Sequence, residues 1–242
     1  MSDRSFVRAG GIAGILLAVA SWAAVVEYFL LVPPAQQAPL AGALDANLFL
    51  ASLATTTTGL VLFNGLYALV AFLALVATIA AYQRLRVYGE AWAFFATLVG
   101  TVASAGTIVT SLAEVGRLRF LAQSVALTPA QAHLPDLMGV TALNYAFREP
   151  AATNPVGILT FGLTAVWFLV AGLLMWSGRY ARLLALLGFV AFLDLAAGFG
   201  ASLAGVATIP TAAALIAGAV GGPIFWLWLG ILLVRDAGKD SS

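Results

Sequence analysis

Six long apolar runs, separated by short polar or proline-bearing breaks, dominate the chain. The first covers about residues 10–32 and is closed by Pro33-Pro34. The second lies within 44–82, with about 58–82 as its crossing part, and ends at Gln83-Arg84-Leu85-Arg86. The others cover about 91–117, 156–176, 180–206 and 211–234. A helix rises about 1.5 Å per residue, so roughly 20 apolar residues cross a bilayer core. The pattern predicts an all-α polytopic membrane bundle of six transmembrane helices, one domain over residues 1–242.

The third run has the clearest internal order. Gly100, Ser104, Thr107, Ser111 and Glu114 fall on one helical face, while Phe94, Phe95, Leu98, Val99, Val102, Ile108, Val109 and Leu112 occupy the others. Such a small and polar seam faces other helices, because lipid offers its hydroxyls no partner. The helix is expected to continue to about Leu127. Thr128-Pro129 then reads as an N-cap with Pro at the first helical position. The 128–147 segment has mixed polarity and reads as an interfacial helix or lid within an extracytoplasmic segment, 118–155.

The second run is too long for one perpendicular crossing, so it tilts or its first turns stand outside the membrane. It carries the run Thr55, Thr56, Thr57 and Thr58, with Asn64 further on. Asp45 is placed to cap it. The 33–42 stretch, uncharged, reads as a loop. Gly10 and Gly14 form a small-xxx-small pair in the first run. Pro223, after Gly221-Gly222, predicts a kink in the sixth.

Composition agrees with this picture. The chain is 62% hydrophobic and only 9% charged, against about 25% charged in ordinary soluble domains. Mean hydropathy is +1.03. A net charge of +1 implies no nucleic-acid partner. The absence of cysteine excludes disulfides and thiolate chemistry. The first apolar run exceeds a signal peptide's apolar region and reads as a retained span. Eight basic residues (Arg4, Arg8, Arg84, Arg86, Arg179, Arg182, Arg235, Lys239) fall on one side and three (Arg117, Arg119, Arg148) on the other. By the positive-inside rule both termini are cytoplasmic, in the plasma membrane. Trp92, Trp176, Tyr180, Trp226 and Trp228 then form a belt towards the inner boundary.

Ionisable groups inside spans are costly and mark candidate sites. Asp194 sits mid-span in the fifth run, on a face shared with Gly198, Ser202 and Gly205. Glu27 and Glu114 lie towards the outer ends of the first and third runs. Arg117 is three residues beyond Glu114 and is placed to pair with it. With Asn64, these five residues are expected in the outer half. There they would line a polar cavity or fix helix register as a buried cluster. His133, the lone histidine, makes a poor metal site. No span carries lysine, and no Walker, Rossmann, HExxH or GxSxG motif occurs. No cofactor or metal is implied.

The opening Arg8-Ala9-Gly10-Gly11-Ile12-Ala13-Gly14-Ile15-Leu16-Leu17, the Asp45-Ala46-Asn47 triplet and the Ala81-Tyr82-Gln83-Arg84-Leu85-Arg86 exit resemble an uncharacterised bacterial family, domain of unknown function 4386. The resemblance covers mainly residues 7–120. It implies a six-helix inner-membrane protein and supplies no catalytic residue. The expectation for function is binding or transport of a small amphiphile or lipid, oriented by Asp194, Glu114 and Arg117. The alternatives are a structural or regulatory subunit that docks a membrane-protein partner or a second copy of itself, and an intramembrane enzyme using Asp194 and Glu114.

Overall fold

The computed structural model describes residues 3–37, 46–127, 158–204 and 216–239. Asp45, His133, Arg148 and the 128–147 segment lie outside these. Its elements are α1 (Asp3–Leu31), α2 (Pro34–Gln37), α3 (Ala46–Thr55), α4 (Thr58–Leu85), a 3-10 turn (Arg86–Tyr88) and α5 (Glu90–Leu127). A wide π turn (Ile158–Leu163) leads into α6 (Thr164–Ser177), and α7 (Arg182–Leu203) follows. A second π turn (Ala217–Gly221) leads into α8 (Gly222–Lys239). The described residues contain no strand. Among the described residues, five helices are long and apolar enough to cross a membrane, and Phe161–Ser177 is a shorter apolar helix.

The long second run is two helices rather than one tilted helix. The threonines break it. Thr55 Oγ1 donates to Ser52 O at 2.7 Å, and the Thr58 N–H donates to Thr56 Oγ1 at 3.3 Å. Hydroxyls that bond locally compete with the helical ladder. The 33–42 stretch is not wholly loop, because Pro34–Gln37 is a helical turn. Its amides close two helix ends. Gln37 Nε2 donates to Tyr28 O and Val32 O, at 3.2 and 2.6 Å. Gln36 Nε2 donates to Thr56 O and Ser52 Oγ, at 2.8 and 3.0 Å. The last carbonyls of a helix need such partners.

The long helices form a ring in the order α8, α1, α4, α5, α6, α7, with α7 meeting α8 most sparingly. α1 is the post of the ring. A Cβ on Gly11 would lie 2.7 Å from Gly230 O, and a Cβ on Gly230 would lie 2.6 Å from Gly11 O. On its other side, Gly10 abuts Ala80, and a Cβ on Gly59 of α4 would lie 2.6 Å from Leu31 O. Only glycine allows backbones this close, which is how helices gain packing energy when lipid is as apolar as their side chains.

One end of the ring is basic. The antiparallel contact of Gly10 with Ala80 brings Arg4 and Arg8 towards Arg84 and Arg86. Tyr88 packs on Gly178 and lies 6.1 Å from the Tyr180 ring, which adds Arg179 and Arg182. Tyr180 OH donates to Asp236 Oδ2 at 2.8 Å, which adds Arg235. The turn feeding this latch holds Arg179 and Ala181 at φ 54° and 52°. The two left-handed residues reverse the chain between α6 and α7. Arg117 and Arg119 lie at the opposite end. There Tyr28, Val32, Phe49, Leu53, Leu60, Leu118 and Leu121 form a separate core.

Gly230→Val is expected to lower the melting temperature by roughly 5 °C. Overpacking costs about 1–3 kcal/mol, and a kcal/mol is worth about 2–4 °C at this size. Gly65→Val, where a Cβ meets nothing within 4 Å, is expected to leave it unchanged. Thermal scans of both variants in one detergent compare the two directly. If they behave alike, the α1–α8 approach does not organise the ring.

Burial and the bond to Asp236 push the Tyr180 phenol above its ordinary range. A phenol whose folded pKa is raised contributes stability that is complete below its unfolded value of about 10 and is lost as pH rises through the folded value. The ultraviolet difference between wild type and Tyr180→Phe should therefore show no tyrosinate forming near pH 10. A normal titration there would mean the latch is open.

Candidate functional site

The seam of α5 faces the ring interior. Ser104, Thr107 and Ser111 are buried. A Cβ on Gly100 would lie 2.6 Å from the Trp167 indole and 2.8 Å from Thr78 Cγ2. Thr107 Oγ1 donates to Ala103 O at 2.8 Å, satisfying itself on its own helix.

This seam forms one wall of a half-enclosed cavity of about 390 Å³ at the centre of the ring. That volume lies within the range of small-molecule sites, roughly 300–1,000 Å³. α4 contributes Tyr67, Ala71, Ala74 and Thr78; α1 contributes Leu17, Ser21, Ala24 and Tyr28. α7 contributes Ala191 and Leu195. Both wide turns reach it, through Phe161 and through Gly218 and Ala219.

Aromatic rings close the cavity towards the basic end. Trp167 and Trp226 stack at 4.7 Å with 16° between planes, and Phe225 and Phe168 pack edge-on at 4.9 Å. Towards the other end Tyr28, Phe63 and Tyr67 form a second aromatic run, with centroids at 5.0 and 5.9 Å. The lining residues that stay exposed, among those described, are Phe29 and Gly218.

The turn beside that opening is explained by Pro223. Proline has no N–H to give the carbonyl four residues back, which belongs to Ala219. The Trp22 indole Nε1 donates to Ala219 O at 2.9 Å and ties α8 to α1. The kink predicted at Pro223 thus takes the form of the π turn Ala217–Gly221 immediately before it.

The five candidates drawn from sequence are placed differently. Glu114 and Arg117 are joined by an ion pair along α5, both half-buried. Asn64 Nδ2 donates to Leu60 O of its own helix at 2.8 Å. Glu27 is only 7% exposed, and neither carboxylate oxygen has a hydrogen-bond partner among the described residues. Asp194 is half-buried on α7, on a face adjacent to the one carrying Ala191 and Leu195. The contacts Gly10–Ala80, Tyr28–Phe63 and Gly100–Thr78 set antiparallel registers that bring Glu27, Asn64 and Glu114 to one level. Gly188 on Phe168 and Gly162 against Phe199 put Asp194 beside the first turn of α6, nearer the middle. None of the five is among the residues lining the cavity.

Outside the α5 seam, whose Gly100, Ser104 and Thr107 line the cavity, sequence reasoning missed its wall. Trp226 is 8% exposed, within the core rather than in a boundary belt with Trp92 and Trp176, which are 63% and 45% exposed. Trp167 gave a usable signal, an indole in the middle of a span where no interface holds it. Ser21 and Thr78 gave none beyond being single hydroxyls on apolar helices. Comparisons with protein-family models, with curated proteins and with solved structures found no match.

An unpartnered buried carboxylate costs several kcal/mol if charged. Glu27→Gln keeps the shape and removes the charge, so it is expected to fold and to melt no lower than wild type, while Glu27→Lys is expected to lose folded protein. A clear loss of stability in Glu27→Gln would reveal a partner for the carboxylate.

Proposed function

We propose that this chain is a six-span plasma-membrane protein, with both termini in the cytoplasm, that binds or moves a small amphiphile or lipid held in the central cavity. The observation that carries the reading is the cavity: a ligand-sized space inside a ring of apolar helices, walled by aromatic, small and hydroxyl side chains. Apolar pockets with a few convergent polar groups are the usual form of small-molecule sites. The sixth span is α6 with its π turn, which packs between α5 and α7. The orientation rests on the arginines gathered at the end that holds Tyr88, Tyr180 and Asp236, which the positive-inside rule assigns to the cytoplasm. The opening by Phe29 and Gly218 then belongs to the outer half. The resemblance to the six-span bacterial family is part of the same proposal.

In this reading the hydroxyls of the cavity wall take over the orienting role expected of Asp194, Glu114 and Arg117. Glu114 and Arg117 hold the outer end of α5, where their ion pair keeps both charges satisfied. A second reading, a subunit that docks a membrane-protein partner or a second copy, is favoured by Gly65 and Gly116. A Cβ on either would meet open space, so they present small surfaces outward.

Native mass spectrometry from mild detergent tests the proposal, on wild type beside Ala74→Leu, which fills the cavity. A discrete bound mass in wild type that the variant loses is expected. Bare protein in both would defeat the ligand reading, and a co-purifying subunit retained by both would favour docking.

A further inference from the structure

The cavity has a chemical signature narrower than "apolar". Among the described lining residues none is Asp, Glu, Lys, Arg or His. The wall still carries donors. Ser21, Thr78 and Ser104 are each at most 9% exposed, and with Tyr67 their side chains make no hydrogen bond among the described residues. This is unusual for hydroxyls on a helix. Thr97, Thr107 and Thr110 all donate back to carbonyls of their own helix. None of these oxygens is fully buried without a partner, so they are open to the cavity, and an occupant that accepts from them there gains a hydrogen bond.

The same wall rejects charge. An anionic head group entering it would lose its hydration and find no cation among the described lining residues. The nearest carboxylate on the α7 side, Asp194, lies off the cavity wall, and Arg117 is engaged with Glu114. The stacked Trp167 and Trp226 close the inner end with flat apolar faces that suit a ring or a chain. A molecule reaching them from the side of Phe29 and Gly218 has its polar group among the wall hydroxyls, of which Ser104 lies nearer the tryptophans and Tyr67 nearer the outer aromatic run.

We propose, deepening the ligand-binding reading on which it rests, that the cavity selects an uncharged oxygen-bearing amphiphile. Its hydroxyl or carbonyl group is held by a hydroxyl of the wall, Ser104 on the side of the tryptophans or Tyr67 further out, and its apolar part lies against Trp167 and Trp226. Isoprenoid and straight-chain compounds share this chemistry. Charged phospholipid and fatty-acid head groups do not.

The test uses bromine as a short-range quencher of tryptophan fluorescence in the full-length protein in detergent. Dibrominated stearyl alcohol and dibrominated stearate differ only in their head group, and at about pH 9 the acid is ionised. The alcohol is expected to quench saturably, and the carboxylate at least tenfold less tightly. Ala74→Leu, with Ala71→Leu as a second filling variant, is expected to remove the saturable part and leave quenching of the lipid-facing indoles. Ser104→Ala with Tyr67→Phe is expected to weaken the alcohol about tenfold, as loss of its neutral hydrogen bond would. A brominated prenyl alcohol in the same assay distinguishes a straight chain from a branched isoprenoid as the better-held occupant. Equal affinity for alcohol and carboxylate would overturn the neutral-ligand inference while the cavity reading stood. Saturable quenching that persists in both filling variants, or none in wild type, would overturn the cavity reading itself.

Discussion

The closeness of α1 to its two neighbours is the constraint from which the rest follows. Inside a bilayer there is no hydrophobic drive to push helices together, so contact must come from packing. Gly11 and Gly230 bring α1 and α8 to backbone contact, and Gly10 and Gly59 do the same for α1 and α4. With three helices held this tightly, the remaining members of the ring must span the gap with larger side chains. Trp167, Phe168, Phe225 and Trp226 fill the half near the basic end. Towards the other end, where Ala71, Ala74, Ala24 and Gly218 line the walls, small side chains leave space. The cavity is what remains when one side of a ring is glycine-tight and the other is bridged by aromatics at one end only.

That end-to-end asymmetry matches the asymmetry of charge. The Tyr88–Tyr180–Asp236 latch, the left-handed turn at Arg179 and Ala181 and every described arginine but Arg117 and Arg119 sit where the aromatic rings close the cavity. The opposite end relies on Gln36 and Gln37 bonding to free carbonyls, and on the small core around Phe49 and Leu118.

Much of this was legible in the chain. The seam of α5 follows from helical periodicity, and its inward direction follows from what lipid cannot satisfy. The ends of α1 and α5 were readable because Pro33-Pro34 stops one helix and the apolar period of the other persists to Leu127. The break before α4 was harder. Four threonines are compatible with a continuing helix, and only the bonds of Thr55 and Thr56 show that these hydroxyls competed with the ladder. The site was the least legible part. An ionisable residue in a span is a strong flag, yet a cavity is formed by the side chains that are missing. Absence of volume at Ala71 and Ala74 has no signature unless the facing helices are known.

The wide turns show why the opening lies where it does. Pro223 strips Ala219 of its usual donor, and the indole of Trp22, on a different helix, supplies one instead. A carbonyl satisfied across helices makes the turn's shape depend on α1 rather than on α8 alone. Gly218, within the turn, has room for a Cβ that nothing would meet. The segment that borders the opening is therefore pinned at one atom and loosely packed elsewhere. π turns cost helical regularity, and they persist where the backbone must be wider than an α-helix allows. Here two of them, Ile158–Leu163 and Ala217–Gly221, flank the same cavity. Their shared position ties the irregular backbone to the space it borders, and a ring of six regular helices would have no reason to keep it.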